Sequence, residues 1–205
     1  MKQTLRLFAI AAALCGAANA HAVTDAVGDF LPSYTGSQAG AYDILVADVS
    51  FDPGSATFSL HAKTNGDIAS RPNAAYVFGF NRGGSANSPF GAIGVPGVSF
   101  NATATMRSTG TGSVGTNSFA VQVVGDEIFG TLSASLLPSN GLTPDHYTWS
   151  LWSINSAIAG LPRNADFAPT SNISVAVVPE PETYALMLAG LGAVGLVARR
   201  RSQRR

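Results

Sequence analysis

Residues 44–62 read Ile-Leu-Val-Ala-Asp-Val-Ser-Phe-Asp-Pro-Gly-Ser-Ala-Thr-Phe-Ser-Leu-His-Ala. Over 44–51, Leu45, Ala47, Val49 and Phe51 share one face, and over 57–62 Phe58, Leu60 and Ala62 alternate with Thr57, Ser59 and His61. That period of two is the signature of a half-buried strand. Between the two runs stands Asp52-Pro53-Gly54-Ser55, in which proline presets φ for the second turn position and glycine is free to take positive φ. The stretch is expected to be a β-hairpin.

The same pattern recurs along the chain. Residues 75–80, 98–106, 118–124, 128–135, 147–154 and 173–178 read as strands; Tyr76, Phe78 and Phe80 face one way, as do Phe119, Val121 and Val123. The body is rich in Gly, Ser, Thr, Asn, Val and Phe and poor in Lys and Glu, which favours strands and turns over helices. About eight strands with polar turns predict an all-β fold, an antiparallel β-sandwich of jelly-roll or Ig-like type. Its core is expected to draw on Val49, Phe51, Phe58, Leu60, Phe78, Phe80, Val121, Val123, Leu132, Trp149 and Leu151. Residues 157–161 read as one helical turn, and the Gly-rich segment 81–117 as the loosest part of the domain. Long segments of that kind are functional or mobile.

After the last strand come three signals in order. Val178-Pro179-Glu180-Pro181-Glu182 is followed by an apolar run over 184–198 and then by Arg199, Arg200, Arg201, Arg204 and Arg205. The run reads as a short transmembrane helix, and the arginine cluster as a stop-transfer signal kept inside by the positive-inside rule. This tail resembles a PEP-CTERM sorting signal, with 178–182 as its motif. The resemblance implies a Gram-negative bacterium that makes exopolysaccharide and recognition by an exosortase, a membrane transpeptidase cutting near the motif. It covers about one eighth of the chain. It concerns sorting and leaves the activity of the domain open.

The other end agrees. Lys2 and Arg6 precede an apolar stretch over 7–18, and Ala18-Asn19-Ala20 or Ala20-His21-Ala22 offers a small-x-small cleavage site. Residues 1–22 therefore read as a secretory signal peptide, with the Sec translocon and signal peptidase as partners. The expected organisation is a leader over 1–22, an exported β-domain over 23–177 and a sorting and anchoring segment over 178–205. The precursor is expected to pause at the inner membrane with its domain outside the cytoplasm, and to end at the cell surface or in the extracellular matrix. Cys15 lies in the leader, so the mature body has no thiol for disulfides or catalysis.

Charge narrows the partners. Between the processed ends lie five basic and ten acidic side chains, a net −5. Nucleic-acid binding needs a basic footprint that such a body lacks.

Motifs for chemistry are few. Gly110-Thr111-Gly112-Ser113-Val114-Gly115 matches G-x-G-x-x-G by letter, but a strand pattern follows it where a dinucleotide site needs a helix. His21, His61 and His146 have no metal-ligand spacing, and no G-x-S-x-G elbow is present. Asp126 and Glu127 are adjacent, so on a strand they point to opposite faces and cannot form a glycosidase pair by themselves.

Asp25 and Asp29 in Thr24-Asp25-Ala26-Val27-Gly28-Asp29-Phe30, with Tyr42-Asp43-Ile44 at a strand start, offer hard oxygen ligands. Asp29 and Asp43, with backbone carbonyls, are expected to hold a structural Ca²⁺, the cation that suits such donors outside cells. The plainer alternative is that these aspartates cap turns. The arrangement resembles the opening of carbohydrate-binding sandwiches of the DOMON and family-nine type. Apart from that ion no cofactor is expected.

Two functions remain. One is a non-enzymatic surface or exopolysaccharide-matrix protein that uses its loops and exposed aromatics such as Trp152; the other is a secreted hydrolase of polysaccharide or peptide. No recognisable catalytic constellation favours the second, so no catalytic residue is assigned.

Overall fold

The computed structural model describes residues 22–178, 187–192, 194, 195 and 199. A compact unit spans His21–Val177. Among its described residues, twelve strands form one sheet: β1 (Val23–Thr24), β2 (Ile44–Asp52), β3 (Thr57–Thr64), β4 (Ala74–Asn81), β5 (Ala102–Arg107), β6 (Thr111–Val114), β7 (Asn117–Val124), β8 (Glu127–Ser133), β9 (Thr148–Asn155), β10 (Asn164–Phe167), β11 (Ile173–Ser174) and β12 (Ala176–Val177). The strand order is β1-β2-β3-β8-β7-β6-β5-β4-β9-β10, with β11 on β9 and β12 on β2. The all-β, antiparallel character expected from the alternation is present, apart from the parallel β2/β12 pair.

The expected hairpin is β2 and β3, paired from Ala47↔Ala62 to Asp52↔Thr57. At its tip the Asp52 carboxylate accepts the Gly54 N–H at 2.9 Å and the Ser55 hydroxyl at 2.7 Å. The left-handed residue is Ala56, at φ 50°, and not Gly54.

The sheet curls instead of splitting into two layers. Phe58 on β3 and Phe80 on β4 lie five places apart in the strand order, yet their ring centroids are 5.5 Å apart. Phe58 also stacks on Tyr147 at 5.9 Å. The inner face of one half-barrel thus packs against itself, which corrects the two-sheet sandwich of jelly-roll or Ig-like type. Alternation fixes which face of a strand is buried; it does not say whether the facing strand belongs to the same sheet. Of the expected core, Val49, Phe51, Phe58, Leu60, Phe78, Phe80, Leu132, Trp149 and Leu151 are buried, and Val121 and Val123 are partly buried against them. Each large side chain so placed contributes about 1.5–3 kcal/mol.

Residues 173–177 tie the two edges of the roll together. Ile173 pairs antiparallel with Trp149 on β9, and only Val175 separates β11 from β12, where Ala176 pairs parallel with Ser50 on β2. A single strand over 173–178 was the expectation; the chain changes partner in the middle. Nearby, the Ser153 hydroxyl donates to the Tyr42 carbonyl, and the Ile44 N–H donates to Asp166 Oδ2 at 2.7 Å.

Two stretches read as loops are ordered by packing. The G-x-G-x-x-G letters fall on β6 and its flanking turns, and β6 pairs with both β5 and β7. A Cβ at Gly112 would lie 2.6 Å from Phe119 Cε2, so that glycine seats an inward ring. Strand β5 begins only at Ala102. The chain before it lies over the outer face of β4 and β9, where Phe90, Val95 and Val98 join Ala75, Val77, Trp152, Ile154 and Phe167 in a second apolar cluster. The expected helical turn at 157–161 falls slightly later, as a 3₁₀ turn over Leu161–Arg163.

In the tail, described residues 187–192 are helical. Among the described residues no helix is long and apolar enough to cross a membrane. The expected transmembrane helix over 184–198 is therefore not supported; residues 184–186, 193 and 196–198 lie outside the described residues, as do 1–21 of the expected leader.

Candidate functional site

Strand β5 sends Ala104 and Met106 into the core, so by alternation Thr103, Thr105 and Arg107 face outward. They form one wall of an open cleft of about 620 Å³, whose opposite wall is Gly160, Leu161, Arg163 and Asn164. Val77, Trp152 and Ile154 make its floor, and Pro89, Phe90 and Phe100 close one end. No carboxylate lines it.

The floor is rigid. Trp152 lies 5.0 Å from Phe90, 5.1 Å from Phe100 and 5.7 Å from Phe167, centroid to centroid. The indole crosses β4 where Gly79 leaves room for it, since a Cβ there would lie 2.6 Å from Trp152 Cζ3. Trp152 is only 3% exposed, which corrects the expectation of an exposed stacking platform. Apolar rings from 90, 100 and 167 cover it, and those long-range contacts leave no local pattern in the sequence. Half-buried Phe100 and exposed Pro89 are the apolar surfaces a ligand would meet.

The cleft is electrostatically distinct. Arg107 and Arg163 are both exposed, and Arg107 Nη1 donates to Ser113 Oγ at 3.0 Å. Within residues 22–178 Lys63, His61 and His146 form ion pairs with carboxylates. Among the described residues no carboxylate forms an ion pair with either cleft arginine.

A second cluster lies on the N-terminal segment. Carboxylate oxygens of Asp25, Asp29 and Asp166 come within 4.8 Å of one another. Asp166 is buried, its Oδ2 accepting the Ile44 N–H and its Oδ1 the Phe167 N–H, each at 2.7 Å. Burial above all, with the charges of Asp25 and Asp29 adding to it against the Ile44 hydrogen bond, pushes the Asp166 carboxyl up to about 8. Burial and then the Asp29 charge raise Asp25 to about 6. Asp25 Oδ2 is shielded from solvent without a hydrogen-bond partner. Oxygen donors this close, held on a strand and a fixed loop, fit a hard divalent cation.

The structure gathers Asp29 into that cluster and places Asp43 behind it. Asp43 is buried, its oxygens accepting the Gly28 N–H at 3.1 and 2.9 Å and Asn65 Nδ2 at 3.0 Å. Asp43 thus fixes the loop that carries Asp29. Asp166 escaped the sequence reading because it is distant in the chain and stands in no motif.

Other candidates take structural places. His61 stacks on Phe129 at 4.7 Å, and His146 Nδ1 lies 3.0 Å from Asp145 Oδ2. Asp126 and Glu127 both pair with Lys63, at 3.4 and 3.7 Å. Of the sorting residues, Val178 is described and 43% exposed; Pro179, Glu180, Pro181 and Glu182 lie outside the described residues, with Arg200, Arg201, Arg204 and Arg205. Arg199 is described and helical.

Comparison with known proteins places the tail. Residues 177–201 match the family model of the PEP-CTERM protein-sorting motif. The chain therefore carries a PEP-CTERM sorting domain, which supports its recognition as a PEP-CTERM domain-containing protein. That motif implies export, exosortase processing and sorting to the cell surface. No curated protein matches the chain.

Proposed function

We propose that the protein is a non-enzymatic component of the cell surface or exopolysaccharide matrix, and that its rolled β-domain is a glycan-binding module. The observation that carries this reading is the cleft over β4, β5 and β9 on a chain that bears a sorting motif. The cleft joins what sugar recognition needs: an apolar floor, hydroxyls of Thr103 and Thr105, and planar donors on two arginines. In this reading a signal peptidase and the Sec translocon export the precursor. The tail then holds it at the inner membrane until an exosortase cuts near the motif. Helical turns that leave Met187, Leu188, Leu191 and Val194 exposed support a tail that seeks lipid.

A structural Ca²⁺ belongs to the same proposal. Asp25, Asp29 and Asp166 would hold it, with Asp43 fixing the loop behind. Such an ion would relieve the mutual repulsion of the three carboxylates and tie the N-terminal segment to β10.

The test is retention of the full chain on insoluble glycans, set beside turnover of chromogenic polysaccharide and peptide substrates. Retention without turnover is the expected result. Turnover abolished by one acid or Ser/His substitution would establish a hydrolase instead.

A further inference from the structure

The cleft gathers two cations on a body of net negative charge. The exported body carries five basic and ten acidic side chains, so an anion approaching at random meets a repulsive field. Two of the five basic residues, Arg107 and Arg163, stand on opposite walls of the cleft, and no acid lines it. The other basic residues with described partners are engaged: Lys63 with Asp126 and Glu127, and Arg82 with Asn101 and the Pro138 carbonyl.

A guanidinium presents five N–H donors in a planar fork matched to a carboxylate. Arg107 gives Ser113 a single bond through Nη1, on the side away from the floor strands β4 and β9. Its remaining donors are available to a ligand. Thr105 stands beside Ser113 in the β5/β6 register, and Thr103 and Thr105 repeat along β5 with the roughly 7 Å spacing of alternate strand residues. The resulting wall is a row of hydroxyls ending in a cation. Facing it, the 3₁₀ turn Leu161–Arg163 sets a second cation beside the apolar Leu161.

We infer that the cleft takes an acidic glycan, a chain of carboxylated sugars, with Arg107 and Arg163 as its carboxylate-binding pair. This rests on the reading of the cleft as a glycan site and adds the substrate class. Sugar hydroxyls meet Thr103 and Thr105, a ring face meets Phe100 and Pro89, and the carboxylates meet the two guanidinium groups. Two cations on a body of net −5 are too few for the row of phosphate contacts that nucleic acid requires.

Titration calorimetry on the full chain tests this with three probes of equal length: an oligogalacturonate, a neutral cello-oligosaccharide and a sulfated neutral oligosaccharide. The oligogalacturonate is expected to bind at least tenfold more tightly than either of the others, and more weakly as salt is raised. Arg107→Gln and Arg163→Gln are each expected to weaken it about tenfold, the scale of one hydrogen bond to a charged group. The lysine variants at both positions restore part of that loss, and unchanged melting temperatures of these exposed-site variants separate binding from folding. Equal binding of neutral and acidic probes, sulfate preferred over carboxylate, or glutamine variants that bind as the parent does would overturn the inference while leaving the cleft a glycan site. Failure of all three probes to bind would overturn the glycan reading as well.

Discussion

The Ile44 N–H donates to Asp166 Oδ2 at 2.7 Å across a separation of 122 residues. This bond joins the first residue of β2 to β10, at the seam where the rolled sheet meets itself. The acceptor is a buried acid whose neighbours are two more acids, so the seam is held by a group that resists ionisation. Closure of the roll and electrostatics of the N-terminal segment are therefore one problem.

Stability should fall as pH rises through this seam. Asp166 binds its proton up to about pH 8 when folded, against an ordinary value of 3.8 in the unfolded chain. The folded state then holds more protons than the unfolded one between those limits, and its stability is complete below pH 4 and lost as pH climbs toward 8. Asp25 acts in the same sense over the narrower window from 3.8 to about 6. Melting temperature measured in chelator should decline from pH 4 to 8, and Asp29→Asn, which deletes a neighbouring charge at an exposed position, should reduce that decline. A flat profile in the parent would contradict the assignment.

Calcium should reverse the loss. At a concentration about 100 times its dissociation constant, an ion that binds only the folded state adds about 2.7 kcal/mol. The shift in melting temperature should be larger at pH 8 than at pH 5, because protons compete for the same oxygens, and it should disappear with chelator and in Asp25→Asn. Calorimetry that detects no calcium uptake would remove the ion from the account.

Gly79 lies directly against the indole of the cleft floor. Gly79→Ala places a methyl group where Trp152 Cζ3 now lies 2.6 Å from the ideal Cβ. Overpacking of this kind costs about 1–3 kcal/mol. The variant should melt earlier and change its near-ultraviolet circular dichroism through the displaced indole. Parent-like values for both would mean that the floor yields easily.

At the β2/β3 tip the substitution runs the other way. Ala56 holds φ 50°, a conformation that costs an L-residue about 1–2 kcal/mol, while glycine brings back part of that as unfolded-chain entropy. Ala56→Gly should stabilise the domain by about 0.5–1 kcal/mol in denaturant unfolding; destabilisation would show that the turn relaxes.

The sequence carried the strands and hid their closure. Alternation located β2, β3, β4, β7, β8 and β9 to within a residue or two, and nine of the eleven expected core residues are buried. Short β1, β6 and β10 were missed, because two to four residues give no measurable period and β6 is written in turn-forming glycine. Whether strands form one layer or two depends on contacts such as Phe58 with Phe80, which no local pattern encodes. In the same way Asp29 was legible as a hard oxygen donor in the sequence, while its partner Asp166 is brought in by the fold. Trp152 was legible as an outward residue of β9, and its cover by Phe90, Phe100 and Phe167 was not.

The sorting of the chain and the closing of its domain meet at Val177, the last residue of β12 and the first of the matched motif. An exosortase cut near 178–182 would therefore leave the closing strand intact and remove the tail beyond it. Mass spectrometry of the mature C-terminus from the native host tests this directly. The expected terminus lies in or beside the motif, without residues 184–205; a mature protein that still ends at Arg205 would contradict exosortase processing.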